Sequence, residues 1–417
     1  MSTGAANLEN VPLILKDLWV DGVEDYLYED RPFFAMVDKD TSWSGLRLHV
    51  TCKYANGTSV ASKFDIAKRN KRVNKYAAME IETADLFALW SVDNKLITLT
   101  RDQKGSLVRY LDEATTDAAE KFRRRSAWQA WGNGGGAAAK LLSINGTEGA
   151  LSNPHNVRNF DIGDIVEFAP DDGRAGGGVL DVTREIVEID EDEGILVFDE
   201  SLATVPGLAG GYYIFHEGDY GDDDHVIKGV TAYTCLTDPG TVGGDPTHIW
   251  GMDRTKFKTR LGGHRLTPSA NLTVIEAVKE GLTKLFRRSV NTSHVFVSPE
   301  IFNEVEMSMD STVRRTEQKV GKVGFEGLAF TSQTGKTVKL YADPDLPLGP
   351  NDEELVFFLN MDKWKVHTAE EWGQWLTADG QKKFMTEENT NAREGRLGGY
   401  GNIYTRRPGD QAVMLLG

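Results

Sequence analysis

From Thr100 to Gly136 the chain keeps one helical period over about 30 residues, and no other stretch restricts the fold as strongly. Leu107, Leu111, Ala114, Ala118 and Phe122 recur at spacings of three and four, so they share one face of a helix. Thr100 followed by Gln103 has the form of a capping box, in which the threonine oxygen takes an amide left free at the helix start. Gly132, Gly134, Gly135 and Gly136 around Asn133 end it, because these residues leave the helical region at little cost. A helix over residues 100–132 is a rod on the order of 45 Å long. Its single apolar stripe is too narrow for a membrane span and has to be covered by elements from elsewhere in the chain.

Charge sets the next limit. The 417 residues are enough for two to four domains with real cores, and they carry a net charge of -16. Between positions 161 and 224 there are nineteen Asp and Glu against two Arg, while the remainder is close to neutral. A chain that coats nucleic acid needs the opposite balance, since phosphate binding is driven by Lys and Arg releasing counterions. Cys52 and Cys235 stand far apart without metal-type spacing, which excludes a disulfide framework and a zinc site and fits a reducing compartment. The N-terminal residues lack the charged start and continuous apolar core of a secretory signal, and no run of eighteen apolar residues occurs, so a soluble intracellular product is expected. Asn56-Gly57-Thr58 and Asn145-Gly146-Thr147 are then chance matches to a glycosylation sequon.

Residues 1–40 have little periodicity beyond apolar clusters at Val11–Leu15 and Phe33–Val37. They read either as an arm that packs on something else or as a terminal segment folded onto its own domain. Leu46, Leu48, Val50, Cys52 and Tyr54 alternate with Arg47, His49, Thr51 and Lys53, and Met79, Ile81 and Thr83 alternate with Glu80, Glu82 and Ala84. Both segments predict half-buried strands, joined by about twenty residues rich in Lys, Arg, Asn and Ser. A structureless loop of that length normally binds something or is disordered. The expectation is a long hairpin with arms of about 30 Å whose tip orders on a partner, or a shorter hairpin closed at Asn56-Gly57. The tip holds Lys63, Lys68, Arg69, Lys71, Arg72 and Lys75 against Asp65 alone. A solvated basic loop is one reading; a contact with the acidic stretch of a neighbouring copy is the other.

Short β-type runs at Ile165–Phe168, Val179–Ile189, Ile195–Phe198 and Tyr212–Phe215, broken by Asp171-Asp172-Gly173, Glu193-Gly194 and Gly210-Gly211, predict a small antiparallel barrel or sandwich inserted near 155–225. From Thr267-Pro268 a helix is expected through Arg288 with Leu272, Ile275, Val278, Leu282, Leu285 and Phe286 on one side. A buried strand at Val295–Val297, a second helix capped by Ser298 and ending near Met309, and strands at Phe325–Phe330, Val338–Tyr341 and Leu355–Leu359 make this part a mixed α+β domain. The last sixty or so residues contain strands near Trp364–Val366, Trp372–Leu376, Asn402–Thr405 and Ala412–Leu416, expected to pack back on the long helix.

Catalytic and metal motifs fail on spacing. Gly335-Lys336-Thr337 ends like a phosphate loop, but Phe330 stands where the first glycine belongs, so a hairpin turn is the better reading. Asp190, Asp192 and Gly194 lack the third ligand of a calcium loop and bring the glycine one position early. Asp219, Asp222, Asp223, Asp224 and His225 read as a solvated acidic turn ahead of a hard-cation site. There is no Gly-x-Ser-x-Gly, His-Glu-x-x-His or Cys-x-x-Cys. No catalytic residue, metal ligand or cofactor is expected, and the chain does not read as an enzyme.

The order of parts resembles the major capsid protein of tailed bacteriophages, the Hong Kong 97-type shell fold. LTVIEAVKEGLTKLFRRSVNTSHVFVSPEIFNEV looks like that family's axial-domain helix, strand and helix, and NIYTRRPGDQAVMLL looks like its closing strand pair. The resemblance implies an α+β fold with an N-terminal arm (1–40), an extended hairpin loop (41–99), a peripheral domain with a spine helix (100–154), an inserted acidic β domain (155–225), an axial domain (226–360) and a return to the peripheral domain (361–417). It implies a structural virion protein, self-assembled in the host cytoplasm as hexamers and pentamers of an icosahedral shell. The enclosed DNA would be held without specific binding, and the six cations of the tip would make intersubunit contacts. With only about 40 residues before the extended loop and no long heptad pattern, a separate scaffolding protein is expected, beside a portal, with a decoration protein as a candidate partner. An encapsulin-like compartment shares the fold; a cation-dependent carbohydrate- or surface-binding protein using the acidic module is the alternative of another class.

Overall fold

The computed structural model describes residues 31–93, 104–174, 176–221, 226–241, 244–308, 315–320, 323–331, 337–350, 352–376, 384–386 and 391–416. Helix α1 (Pro32–Met36), strands β1 (Asp38–Asp40) and β2 (Leu48–Ala55), helix α2 (Phe64–Arg69), β3 (Lys75–Ile81) and β4 (Ala84–Asp93) lead to the long helix α3 (Lys104–Trp131). Six strands follow: β5 (Ala139–Asn145), β6 (Glu148–Leu151), β7 (Ile165–Ala169), β8 (Arg184–Asp190), β9 (Ile195–Phe198) and β10 (Tyr213–His216). Then come α4 (Val230–Tyr233), β11 (His248–Ile249), β12 (Met252–Asp253), α5 (Lys258–Gly262), β13 (His264–Leu266), α6 (Val274–Arg287), β14 (His294–Val297) and α7 (Pro299–Ser308). The chain closes with β15 (Arg315–Val320), β16 (Val323–Thr331), β17 (Thr337–Ala342), β18 (Glu354–Leu359), β19 (Trp364–Thr368), β20 (Gln374–Trp375), β21 (Phe384–Thr386), β22 (Ala392–Thr405) and β23 (Ala412–Leu416).

Helix α3 has 28 residues, about 42 Å of rod. The Thr100–Gln103 capping box and the side chains at 107, 111 and 114 lie outside the described residues, as do the apolar cluster Val11–Leu15 and the rest of 1–30. Of the apolar face, Ala118 and Phe122 are buried. What covers them is a sheet in which β22 is the common partner of β4, β19, β20 and β21, with β1 added in parallel to β19. The Trp372 indole packs on Phe122 at 5.8 Å and donates to Ser126 Oγ at 2.9 Å, joining sheet to helix. Strand β22 is dense in glycine because its neighbours come so close: a Cβ on Gly399 would lie 2.6 Å from the Trp372 ring, and one on Gly401 2.5 Å from the His367 carbonyl. Residues 84–93, expected inside the extended loop, are a strand of this sheet paired with β22 from Asp93↔Ala392 to Ala84↔Gly401.

The second sheet runs β13-β23-β18-β14-β17-β16-β15. Its central strands are buried on both sides, so alternate residues serve two cores: Val295, Val297, Val356 and Phe358 face α6 and α7, whereas Phe296, Phe357 and Leu359 join the larger core shared with the first sheet. Helix α6 begins later than Thr267-Pro268 suggests. Thr273 is the cap, in a capping box with Glu276, because its side chain and that of Glu276 satisfy each other's backbone amides, whereas Ser269 is engaged by Glu280. Leu272 therefore lies outside the helix and is exposed. Ser298 Oγ accepts from the Ile301 amide at the start of α7, which the structure describes as far as Ser308. The closing strand β23 does not return to the long helix. It pairs with β18 and β13, since its run of five apolar residues is satisfied only inside a sheet with both neighbours present.

The acidic module is a closed barrel in the order β10-β5-β6-β9-β8-β7. Its first strand begins at Ala139, well ahead of position 155, so residues 139–151 belong to the barrel and not to the helix's own domain. Asn145-Gly146-Thr147 is the β5–β6 hairpin turn, with Gly146 at φ 62°. Gly135 and Gly173 meet backbone to backbone between the barrel and the helix end: a Cβ on Gly135 would sit 1.9 Å from the Asp172 carbonyl oxygen.

Helix α1 fills the junction of all these parts. Phe33 is fully buried, 4.5 Å from the Trp131 ring, 5.7 Å from Phe296 and 6.0 Å from Trp364. Its amide donates to the buried carboxylate of Asp343, and Arg31 and Arg158 ion-pair with Asp345 at 2.9 and 3.4 Å. Residues 31–40 are thus folded onto their own chain.

Candidate assembly surface

The hairpin β2–β3 pairs in register from Leu48↔Ile81 to Ala55↔Lys75, with an irregularity at Lys53. Alternation gives it one apolar face, and Val50, Cys52, Ala77, Met79 and Ile81 are buried against the chain's own core. Cys52 Sγ donates to the Arg406 carbonyl at 3.3 Å, the Glu80 amide to the Trp250 carbonyl at 3.0 Å, and Arg260 Nη1 to the Tyr54 carbonyl at 3.2 Å. Most of the ribbon is therefore anchored, and only the part beyond Ala55 and Lys75 projects. Leu46 is 85% exposed and lies before the strand, and Ala84 is buried at the start of β4, so the alternation holds over 48–54 and 77–81 only.

The tip is not structureless. Gly57 donates to Asn74 Oδ1 at 2.8 Å and accepts from the Arg72 amide at 3.0 Å, closing the tip at its neck. A Cβ at Gly57 would lie 2.2 Å from the Arg72 carbonyl oxygen, which requires glycine there. Asn56-Gly57 thus forms the neck of a longer excursion and closes no two-residue hairpin. Beyond it runs α2, none of whose residues is buried. No side chain of residues 58–73 is buried.

All six cations expected at a contact, Lys63, Lys68, Arg69, Lys71, Arg72 and Lys75, are brought together here and all are exposed. Among the described residues none of them makes an ion pair. The same tip exposes apolar side chains that charge counting passed over: Val60 is 92% exposed, Val73 85% and Phe64 79%. Their signal was present in the sequence as apolar residues set among lysines and arginines.

The acidic residues divide into two groups. Asp161 and Asp164 hold Lys121 of α3 at 3.0 and 3.7 Å, Asp161 also holds Arg124 at 3.3 Å, Asp219 pairs with Arg125, and Arg174 bridges Asp172 and Asp245. Asp161, Asp164 and Asp219 thus fasten barrel to helix, and Arg174 ties the barrel to the segment bearing Asp245. Glu185, Glu188 and Asp190–Glu193 are exposed on β8 and its following turn. Asp190 Oδ1 accepts from the amides of Asp192 and Glu193, both at 3.0 Å. Asp222–Asp224 and His225, like Gly335 and Lys336, lie outside the described residues. Among the described residues no group of three or more His, Cys, Asp or Glu is placed to hold a metal ion, and no helix is long and apolar enough to cross a membrane. Both cysteines are free and buried, and burial pushes each thiol up to about 11, away from reactivity.

No protein-family model matches the chain, and no curated protein does. Among solved structures, the capsid asymmetric unit of cyanophage A-1(L) is similar at TM-score 0.47 and 10% identity, over 93% of this chain and 92% of that one. The capsid of a native GTA particle is similar at TM-score 0.44 and 9% identity, over 92% and 90%. The capsid of Myoviridae phage XM1 is similar at TM-score 0.41 and 8% identity, over 92% and 90%. Superpositions this loose leave the function to the chain's own geometry.

Proposed function

We propose that this chain is the major capsid protein of a tailed bacteriophage, a subunit of Hong Kong 97-type fold that assembles with its own copies into the hexamers and pentamers of an icosahedral shell around double-stranded DNA. The observation that carries the reading is the hairpin tip. Residues 58–73 are folded, yet they bury no side chain and hold Phe64, Val60 and Val73 in solvent beside Lys63, Lys68, Arg69, Lys71 and Arg72, which make no ion pair among the described residues. Apolar surface kept exposed on an ordered projection is stabilised when another molecule covers it. The remaining parts support the reading by their order: a long helix under one sheet as spine, a closed acidic barrel as inserted domain, and a second sheet carrying α6 and α7 as axial domain. The subunit's role is structural and non-enzymatic. Its place is the virion after assembly in the host cytoplasm, and its partners are itself, a separate scaffolding protein, a portal and, as a candidate, a decoration protein.

Negative-stain microscopy and light scattering of the purified chain, alone and with its scaffolding protein, test this. Rings or closed shells are expected. A 46.1 kDa monomer at every concentration, with or without scaffold, refutes it. Assembly should slow as salt is raised through the physiological range while the unfolding midpoint of the subunit stays put, because exposed charges are screened beyond a Debye length of about 8 Å.

A further inference from the structure

We infer that the basic hairpin tip of one copy docks on the β7–β8 face of the acidic barrel of a second copy, around Ile165 and Val187. This rests on the shell reading, since it needs many copies side by side, and it names the surface that receives the tip.

Three observations meet there. The first is apolar surface without cover. Ile165 and Val187 are each 45% exposed and Ile162 66%. Ile165 stands opposite Glu185 on the barrel's outer face, and Val187 lies two residues further along the same strand. The Gly163 amide donates to the Ile186 carbonyl at 2.7 Å, which brings the turn bearing Ile162 alongside. The second is charge. Glu185 and Glu188 stand with Val187 on β8 and Glu191 in the turn that follows, all exposed and, among the described residues, in no ion pair. The third is the tip itself, which exposes Val60, Phe64 and Val73 together with Lys68, Arg69 and Arg72. Each surface thus combines exposed apolar side chains with exposed charges, as one side of an interface does, and the charges are of opposite sign. A polyanion would satisfy the cations of the tip but leave Phe64 and its apolar neighbours in water; a protein surface with its own exposed isoleucines and valine covers both.

Charge reversal on the whole chain decides it. One variant carries Lys68→Glu, Arg69→Glu and Arg72→Glu; a second carries Glu185→Lys, Glu188→Lys and Glu191→Lys. Because the six residues are exposed and unpaired, the unfolding midpoint of each variant should match the wild type. Alone, each should need at least about tenfold more protein for half-maximal assembly. All six reversals combined in one chain should assemble again to within about threefold of the wild type, since every tip then meets a barrel of opposite sign. If wild-type chains form shells but the barrel variant assembles normally, or the sixfold variant is not rescued, the docking site is elsewhere and the inference is wrong while the shell reading stands. If tip reversal leaves assembly intact and abolishes retention of a duplex DNA oligonucleotide, the tip serves nucleic acid and the inference is again overturned. If the wild type never assembles, the shell reading itself has failed.

Discussion

Replacing Phe33 by alanine should cost the subunit about 4 kcal/mol of stability. The ring is fully buried and touches Trp131 at the end of α3, Phe296 in the centre of one sheet and Trp364 at the start of a strand in the other. Removing a buried phenylalanine generally costs ~3–5 kcal/mol, the amount depending on how far the site collapses. Here the three facing rings belong to three separately fixed elements, so collapse would have to move a helix against two sheets, and the upper half of that range applies. Against a total of roughly 5–15 kcal/mol the loss is large. Urea titration of the unassembled subunit, followed by tryptophan fluorescence, measures it as a fall in the midpoint at unchanged slope. Phe33→Leu, which keeps most of the volume, should lose only about 1.5 kcal/mol. A loss below about 1 kcal/mol for Phe33→Ala would mean that residues 31–37 do not occupy the junction, and the account of how the two sheets and the helix are joined would be wrong.

Gly399→Ala should lower the thermal midpoint by an amount equivalent to roughly 1–3 kcal/mol, because the new methyl group meets the Trp372 ring at 2.6 Å and that indole is tied to Ser126; a midpoint equal to the wild type's would contradict the packing. Thr273→Ala removes one half of the capping box of α6 and should cost about 1 kcal/mol in the same urea titration. Burial and the nearby Asp345 carboxylate push the Asp343 carboxyl up to about 6. Its folded value lies above its unfolded one, so the stability it contributes is full at acid pH and is lost as pH rises through about 6. Between pH 4 and 7 the stability of Asp343→Asn, though lower throughout for want of a second acceptor oxygen, should vary less steeply than that of the wild type, and equal slopes would rule this out.

Local period made the long helix legible, and with it the strands at 48–54 and 77–81 and the helices α6 and α7, because each carries its apolar residues at the spacing of its own backbone. The turns at Asp171-Asp172-Gly173 and Glu193-Gly194 marked the later barrel strands. Strands β5 and β6 escaped notice since Ala139–Leu151 sets Leu141 and Leu142 side by side, has Ile144 as its one β-branched apolar residue and breaks at Asn145-Gly146, so no clear alternation marks it; it is β because the ring of strands needs closing. Residues 392–401 of β22 were missed for a related reason. Glycine disfavours a strand in isolation, yet here it is what lets Trp372, Leu376 and the His367 backbone approach.

The six tip cations and their isolation from other charges were readable as composition. That the tip is folded, that Phe64, Val60 and Val73 stand among those cations, and that Asp161, Asp164 and Asp219 clamp barrel to helix were not, because exposure depends on which distant segments reach a residue. The amino-acid order by itself determined the helix, the charge segregation and the period of each strand, all set by neighbours within a few positions. The tertiary structure alone decided that α1 is core, that β23 leaves the helix for the second sheet, and which apolar side chains remain in water, since each follows from contacts between residues far apart in the chain.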